Sequence, residues 1–399
     1  AAILLLTCAV TTAQVKILTI GDSITDEYEA IADLNSDFDS FFDIEVYPEP
    51  DFPNPDNNPR AFNWPELLEL RRSTEADFGT KGVWGGLRIS FNPFFGDLRY
   101  EGYQYNFGVV SLTTTDWVNL LNNDTGGYEF PLPGFMSRTR TSLINTLPLV
   151  DVAVILLGGN DLKSNYFSLY NTGPPAPVLT DIHNRIEAIH SFIRNRRPNL
   201  PIIVATVPDV GATPTLYNSS SYNDPVIQAA TRAKIAGLNQ AIIDTFSDNP
   251  AKPNTGVARV DNLTNDILDV VLGVVPGPFD LNGTELTIEG DPYNPSDHLF
   301  CKDDFHPNTA GQLLVANEVI AAINEFFPST PITPFSNREI LEILLLDPDQ
   351  PYLDWIDGFG VVADGPDDDP DRDGLPNLVE MILGTPPNAF STPFTGSWP

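Results

Sequence analysis

The fold is decided by the stretch Val15-Lys16-Ile17-Leu18-Thr19-Ile20-Gly21-Asp22-Ser23. Its first six residues are mostly apolar, which favours a strand buried on both faces. Further apolar runs of this kind occupy residues 152–157, 201–207 and 256–260. Segments with helical periodicity lie between them, most clearly residues 181–195 and 225–246. This alternation predicts the α/β class, a three-layer α/β/α sandwich around a mostly parallel central sheet.

Ser23 follows the first predicted strand, and open parallel sheets carry their functional groups at the carboxyl ends of strands. A serine hydroxyl becomes a nucleophile when a base takes its proton and a carboxylate orients that base. Asp303 and His306 can supply such a pair. Asn160, which follows the predicted strand 152–157, can donate a side-chain N–H to an oxyanion. The alternative is that Asn160 caps the segment that follows, but Asp161 is the better candidate for a cap, which leaves Asn160 free. Together these segments predict one hydrolytic site.

The order and residue types of these blocks resemble the SGNH (GDSL-type) hydrolase family of esterases and lipases. The resemblance extends over residues 14–327, the expected hydrolase domain. It implies that Ser23 is the nucleophile and that Asp303 and His306 complete its triad. It also implies that Asn160 is an oxyanion donor, that the sandwich is flavodoxin-like, and that catalysis needs no cofactor.

One block departs from the family pattern. The family has a glycine after its second strand, whose backbone N–H joins the oxyanion hole, and Ser111 stands at that place within residues 105–113. Every residue except proline keeps this N–H, but only glycine adopts positive φ freely. We prefer Ser111 as the backbone donor because it follows a predicted strand. Gly134, just before a predicted helix, is the alternative.

The chain has four histidines, and two of them compete for the role of base. His183 and His190 lie on the predicted helix 181–195, where surface or packing roles are usual. His298 follows an aspartate directly, which makes it the rival of His306. We prefer His306, because only this histidine has an aspartate three residues ahead.

The composition limits the partners. The 399 residues include 54 Asp and Glu against 21 Lys and Arg, a formal net charge of −33. Such a surface repels nucleic acid and anionic membranes, so the expected partner is a small-molecule or carbohydrate ester. Residues 1–13 are typical of a signal-peptide remnant ending at Ala13, too short to span a membrane. We therefore expect a secreted, extracellular or periplasmic protein of bacterial type, in which Cys301 is left without a disulfide partner.

The sequence character changes after residue 327. A Pro-rich linker is expected at residues 328–335, followed by a C-terminal segment, 336–399, that begins with a helix. Residues 369–380 match the pattern D-x-D-x-D-G-x5-E, whose oxygen ligands suit Ca²⁺ in a structural role. The predicted ligands are Asp369, Asp371, Asp373, the Leu375 carbonyl, Asn377 and Glu380. The segment resembles the calcium-binding repeats of dockerin-like and thrombospondin type 3-like tails.

The function predicted from these features is a secreted serine esterase for short acyl or carbohydrate O-acetyl esters. Two alternatives remain open. Ser111 in place of glycine is compatible with a catalytically impaired carbohydrate-binding protein that keeps the fold. The calcium loop is compatible with a calcium-dependent surface protein, in which this segment would serve association with cell surfaces or polysaccharides.

Overall fold

A computed structural model describes nine ranges of the chain. They are residues 14–28, 60–82, 97–99, 102–124, 132–173, 176–292, 295–345, 350–361 and 365–389. The predicted signal-peptide remnant, residues 1–13, lies outside the described residues. The chain divides into two units, one of Ala1–Phe279 with Thr287–Phe335 and one of Asp280–Leu286 with Ser336–Pro399.

The strands of the described residues are numbered in chain order. They are β1 (Val15–Gly21), β2 (Ala76–Asp77), β3 (Lys81–Gly82), β4 (Gly102–Tyr103), β5 (Asn106–Gly108), β6 (Val152–Leu156), β7 (Ile202–Ala205), β8 (Thr255–Ala258), β9 (Phe279–Leu281) and β10 (Thr284–Leu286). The central sheet has the order β1-β6-β7-β8, and β2 and β5 pair with the other edge of β1. All of these pairings are parallel.

The α-helices are numbered in the same way. They are α1 (Trp64–Arg71), α2 (Thr114–Asn122), α3 (Leu132–Thr146), α4 (Gly159–Asn171), α5 (Pro177–Arg196), α6 (Pro214–Tyr217), α7 (Pro225–Phe246), α8 (Asp261–Val271), α9 (Thr309–Asn324), α10 (Asn337–Ile343), α11 (Gln350–Asp357) and α12 (Asn377–Leu383). No helix among the described residues combines the length and the apolar character needed to cross a bilayer.

Both faces of the sheet are covered, which explains its continuous apolar runs. All residues of β6 and β7 are buried. Leu18 and Ile20 of β1 belong to the core that packs against α2, α5 and α7. On the opposite face, α9 packs against β7 and β8. The chain is thus an α/β protein with a mostly parallel central sheet between helical layers, as the sequence predicts.

Residues 331–335, within the predicted linker, are fixed to the first unit. The side chain of Asn324 bonds both the N–H and the C=O of Ile332, each at 2.8 Å. Asn317 makes the same pair of bonds to Phe335, again at 2.8 Å. Ile332 and Phe335 are themselves buried. This part of the segment therefore belongs to the hydrolase domain and is not a free spacer.

Candidate active site

Ser23 lies in a tight turn directly after β1. The carbonyl of Asp22 accepts the N–H groups of Thr25 at 3.0 Å and Asp26 at 2.9 Å, which closes the turn. A Cβ at Gly21 would lie 2.4 Å from the Cβ of Thr25, so the position before the turn requires glycine. Parallel pairing brings the ends of β1, β5 and β6 to one edge of the sheet, and the turn is at that edge.

The structure brings Ser23, His306 and Asp303 together. Ser23 Oγ lies 2.8 Å from His306 Nε2, and His306 Nδ1 lies 2.6 Å from Asp303 Oδ2. All three residues are buried or nearly so. With Nδ1 protonated, the ring donates to the carboxylate and leaves Nε2 free to accept the serine proton. These three groups have the geometry of a nucleophile, its base and the carboxylate that orients the base.

The loop around Asp303 stabilises the ionised form of its side chain. Asp303 Oδ1 accepts the backbone N–H groups of Phe305 at 3.0 Å and His306 at 2.9 Å. Burial by itself would raise the pKa of Asp303, but the facing His306 and these two N–H donors together hold it below its ordinary value. Asp303 thus stays ionised and fixes the orientation of the imidazole.

The other three histidines have different partners. His298 Nδ1 lies 2.9 Å from its neighbour Asp297, the pairing that made it a rival base. On α5, His183 bonds Thr245 of α7, and His190 bonds Thr255 of β8. Among the four, all of which are described, only His306 bonds Ser23.

Asn160 is the second residue of α4, which begins after Gly158 at φ +119°. Its Nδ2 donates to the carbonyl of Leu112 at 3.2 Å. An amide nitrogen carries two N–H bonds, so one can serve a substrate oxygen. Asp161, the expected cap of this helix, instead accepts the N–H of Thr114 at 2.8 Å and its Oγ1 at 2.7 Å. The Asn-Asp pair therefore joins α4 to the start of α2.

Ser111 lies three residues beyond β5 in a left-handed conformation, with φ at +66°. The serine therefore adopts the backbone conformation for which glycine is suited, at the position where the family has glycine. Within the described ranges, its N–H donates no hydrogen bond to the protein. Gly134, the alternative donor, is an exposed residue in the first turn of α3.

A small pocket opens beside the serine. Its volume is about 430 Å³, counted out to the open mouth. The apolar part of its lining consists of Ile24, Pro208, Val210, Phe300, Phe305 and Pro307. Two buried carboxyls, Asp22 and Asp209, also border it, and burial raises the pKa of each to about 6. Sequence reasoning passed over Phe305 and Pro307, although both are adjacent in sequence to the predicted base.

The acidic loop of the second unit gathers its side chains around one point. Carboxylate oxygens of Asp369, Asp371 and Asp373 lie within 4.8 Å of one another. Glu380 is fully buried, and in the part of the chain that the structure describes neither its Oε2 nor Oδ2 of Asp371 has a hydrogen-bond partner. Burial, followed by the charges of the three aspartates, raises the pKa of Glu380. Gly374 provides the turn, with φ at +92°.

The remaining two predicted ligands differ in their surroundings. Leu375 donates its N–H to Asp373 Oδ1 at 2.8 Å, which leaves its carbonyl as the group for a cation. Asn377 is buried as the first residue of α12, and its Nδ2 donates to the carbonyl of Gly365 at 2.9 Å. Buried carboxylate oxygens without hydrogen-bond donors fit a hard cation such as Ca²⁺.

Comparisons with known proteins identify the family of this chain. The sequence model of the GDSL-like Lipase/Acylhydrolase family matches residues 17–319. No curated protein matches the chain. A carbohydrate esterase family 3 structure from Talaromyces cellulolyticus has 14% identity and a TM-score of 0.36, and the match covers 79% of this chain and 99% of that one.

Two further solved structures are similar at the same level. An acetyl esterase variant with acetate ion has 13% identity and a TM-score of 0.35, over 79% of this chain and 99% of that one. An alpha/beta hydrolase enzyme from the metagenome of Lake Arreo, Spain, has 14% identity and a TM-score of 0.34, over 78% and 97%. Since the family model spans most of the chain, the protein belongs to the GDSL-like lipase/acylhydrolase family and is an ester hydrolase.

Proposed function

We propose that this protein is a secreted serine esterase that cleaves short acyl esters, including O-acetyl esters of carbohydrates. The observation that carries the proposal is the continuous hydrogen-bonded chain from Ser23 through His306 to Asp303, at 2.8 and 2.6 Å. Ser23 also lines a small pocket whose surface is largely apolar. A nucleophile beside an acyl-sized pocket is what acyl transfer requires.

The proposed reaction has two acyl-transfer steps. His306 Nε2 takes the proton of Ser23 as Oγ attacks the ester carbonyl, and Asp303 stabilises the imidazolium that forms. His306 then gives the proton to the leaving alcohol, and an acyl-serine remains. Water, deprotonated by the same imidazole, attacks the acyl-serine; the bond from the acyl carbon to Ser23 Oγ then breaks, the imidazolium returns the proton to Oγ, and the carboxylic acid leaves.

Three N–H groups are proposed to hold the oxyanion in both steps. They are the backbone N–H of Ser23, the second N–H of the Asn160 side chain, and the backbone N–H of Ser111. Donors placed before the reaction need no reorganisation as charge develops on the carbonyl oxygen. The N–H of Ser111 supports this assignment, because it bonds no other group in the described ranges and lies on an exposed residue, where a substrate oxygen can reach it.

The pocket supports a short acyl group. Its apolar lining favours a methyl or short alkyl chain, and its volume of about 430 Å³ includes the mouth, where the alcohol portion must lie. Phe305, half-buried in this wall, is covered by the ammonium of Lys163 at 3.7 Å from the ring centre. This contact stabilises the position of Phe305 in the pocket wall.

The test is hydrolysis of p-nitrophenyl esters from acetate to octanoate, and of acetylated glycans, by the wild type beside Ser23→Ala. We expect the wild type to prefer the shortest acyl chains and Ser23→Ala to be inactive on all substrates. Turnover that survives in Ser23→Ala rejects the proposed nucleophile. Glycan binding by the wild type without turnover favours the alternative, a carbohydrate-binding protein that has lost activity.

We also propose that the acidic loop of residues 369–380 binds one structural Ca²⁺, through the carboxylates described above, the Leu375 carbonyl and Asn377. The unpartnered oxygens of Asp371 and Glu380 support it, since like charges without donors repel until a cation neutralises them. Ordering of the second unit is therefore coupled to binding. A calcium-ordered unit of this kind could carry an association with cell surfaces or polysaccharides.

Calorimetry tests the calcium site with a matched pair of variants in the same unit. Glu380→Gln removes a buried carboxylate of the loop, whereas Asp357→Asn removes an exposed one on α11. We expect one Ca²⁺ per chain for the wild type and Asp357→Asn, and binding weakened by about tenfold or more for Glu380→Gln. Equal calcium heats for all three proteins contradict the assignment. Esterase activity should persist in EDTA; its loss would contradict a purely structural role.

Export is the remaining part of the proposal, and it rests on the apolar residues 1–13. N-terminal sequencing of the protein recovered from culture medium tests it. We expect the mature chain to begin at Gln14, directly after the small residue Ala13. A chain retained in the cell with residues 1–13 intact would contradict export.

A further inference from the structure

The segment that carries Ser111, residues 110–114, is attached at both ends to buried carboxylates. At its start, Asp26 Oδ2 accepts the N–H of Val110 at 3.0 Å. At its end, Asp161 accepts the N–H and hydroxyl of Thr114. Asp26 is 5% exposed and Asp161 4% exposed, so neither bond competes with bulk water. We call residues 110–114 the oxyanion segment.

Ser111 needs such an attachment. A side chain with a Cβ disfavours the left-handed conformation, because the Cβ approaches the neighbouring carbonyl. Ser111 nevertheless has φ at +66°. A conformation of this kind persists only where the surroundings impose it. Without the hydrogen bond that anchors Val110, Ser111 can return to negative φ. The Ser111 N–H would then no longer point toward the proposed position of the oxyanion.

Asp26 also belongs to the turn that holds the nucleophile. Its own N–H donates to the carbonyl of Asp22 at 2.9 Å, and Ser23 lies within that turn. The same residue therefore contacts the nucleophile turn through its backbone and the oxyanion segment through its side chain. Nearby, Gly108 packs so closely that a Cβ there would lie 2.3 Å from the Asp26 nitrogen. This contact leaves little freedom between the two loops.

The carboxyl of Asp26 is costly to bury. Burial, together with the neighbouring charge of Glu27, raises its pKa well above the ordinary value, and the N–H of Val110 opposes this rise. A buried carboxyl group stabilises the fold less than an apolar side chain of the same size, because it must be removed from water. Its presence here therefore indicates that its hydrogen bond has a specific role. The bond that it makes points to the oxyanion segment.

We propose that Asp26 is a positioning residue that holds the Ser111 N–H toward the oxyanion by anchoring Val110. The inference rests on the proposed function, since it assigns the Ser111 N–H to the oxyanion hole. Asp26 itself touches neither the substrate nor the reacting atoms. It acts through the backbone, and it sets the distance between one donor and the nucleophile.

The first test compares Asp26→Ala and Asp26→Asn, with Glu27→Ala as the matched control. Glu27 is the adjacent buried carboxylate, and its partners, the N–H of Tyr103 and the side chain of Asn106, both lie outside the oxyanion segment. We expect Asp26→Ala to lower kcat by about tenfold to a hundredfold with little change in KM, less than the roughly hundred- to thousandfold cost of deleting a donor. Asp26→Asn keeps an acceptor oxygen and should restore kcat to within about threefold of the wild type.

Glu27→Ala should lower the melting temperature and keep kcat, and this separates positioning from general destabilisation. The proposal is overturned if Asp26→Ala retains wild-type kcat while folded, or if Asp26→Ala and Glu27→Ala lower kcat equally. Ser23→Ala is measured beside them. If Ser23→Ala stays active, the proposed function fails; if it is inactive and Asp26→Ala is fully active, only the positioning role fails.

A second variant pair tests the mechanism of positioning. Ser111→Gly removes the Cβ that disfavours positive φ, so the turn can form with less need of an anchor. We expect Ser111→Gly to recover about threefold or more of the kcat lost in Asp26→Ala, in a double-mutant cycle. A purely structural defect would not be recovered at this position. Strictly additive effects on kcat contradict the coupling between Asp26 and Ser111.

Discussion

Replacing Glu27 by glutamine should change how the stability of this protein depends on pH. The Glu27 side chain is buried, and its Oε1 accepts the N–H of Tyr103 at 2.7 Å. Burial raises its pKa from 4.5 to about 7, against the smaller opposing effect of the Tyr103 N–H. Glutamine has the same shape and keeps the acceptor oxygen, but it does not ionise.

The sign follows from proton binding. Because the pKa of Glu27 is higher in the folded state, the folded protein keeps a proton that the unfolded chain loses between pH 4.5 and about 7. The carboxyl therefore contributes full stability below pH 4.5 and loses it as the pH rises through 7. The difference between the two pKa values corresponds to roughly 3 kcal/mol, at about 1.4 kcal/mol for each tenfold change.

Urea unfolding from pH 4.5 to 8 measures this effect, with the exposed Glu325→Gln as control. We expect the unfolding free energy of Glu27→Gln, relative to the wild type, to rise by roughly 3 kcal/mol across the range. Because the pKa values of Asp22 and Asp209 are also raised to about 6, the unfolding free energy of both proteins still declines as the pH rises. Parallel curves for the wild type and Glu27→Gln would refute the reasoning.

Three further predictions concern catalysis. His306→Ala should abolish turnover while His298→Ala stays active, as steady-state kinetics will show; the reverse pattern would reassign the base. Asn160→Ala should lower kcat by roughly a hundredfold or more at nearly constant KM, as for a lost oxyanion donor, and a change in KM alone would assign Asn160 to ground-state binding. Ser111→Gly should retain or raise kcat, whereas Ser111→Pro, checked for folding by circular dichroism, should lose the donor and most of the rate. Full activity of a folded Ser111→Pro would contradict this role of Ser111 and favour Gly134 as the backbone donor.

The sequence was informative where a property depends on short stretches of chain. The buried strand before Ser23 and the helix over residues 225–246 follow from local apolar patterns, and both are present in the structure. The position of Ser111 at the expected glycine could be found from its block. Its actual φ could not, because strain depends on what surrounds the turn.

Contacts between distant segments escaped sequence reasoning. Asp26 meets Val110 across 84 positions, and nothing near either residue indicates this bond. Asp161 was expected to cap its own helix, since capping is a local preference, but it bonds Thr114 on another helix. Residues 331–335 have linker composition and are nevertheless fixed by Asn317 and Asn324. In each case tertiary partners, which composition does not reveal, decide the outcome.

Ser23 and His306 are 283 positions apart, and this separation decides when the site can assemble during protein synthesis. Synthesis from the N-terminus produces the nucleophile early and the base only when the last core helix, α9, is about to follow. A growing chain therefore carries the proposed nucleophile before the histidine that is proposed to take its proton. On the proposed mechanism, ester cleavage begins only after the hydrolase domain is nearly complete, so unfinished chains have no esterase activity.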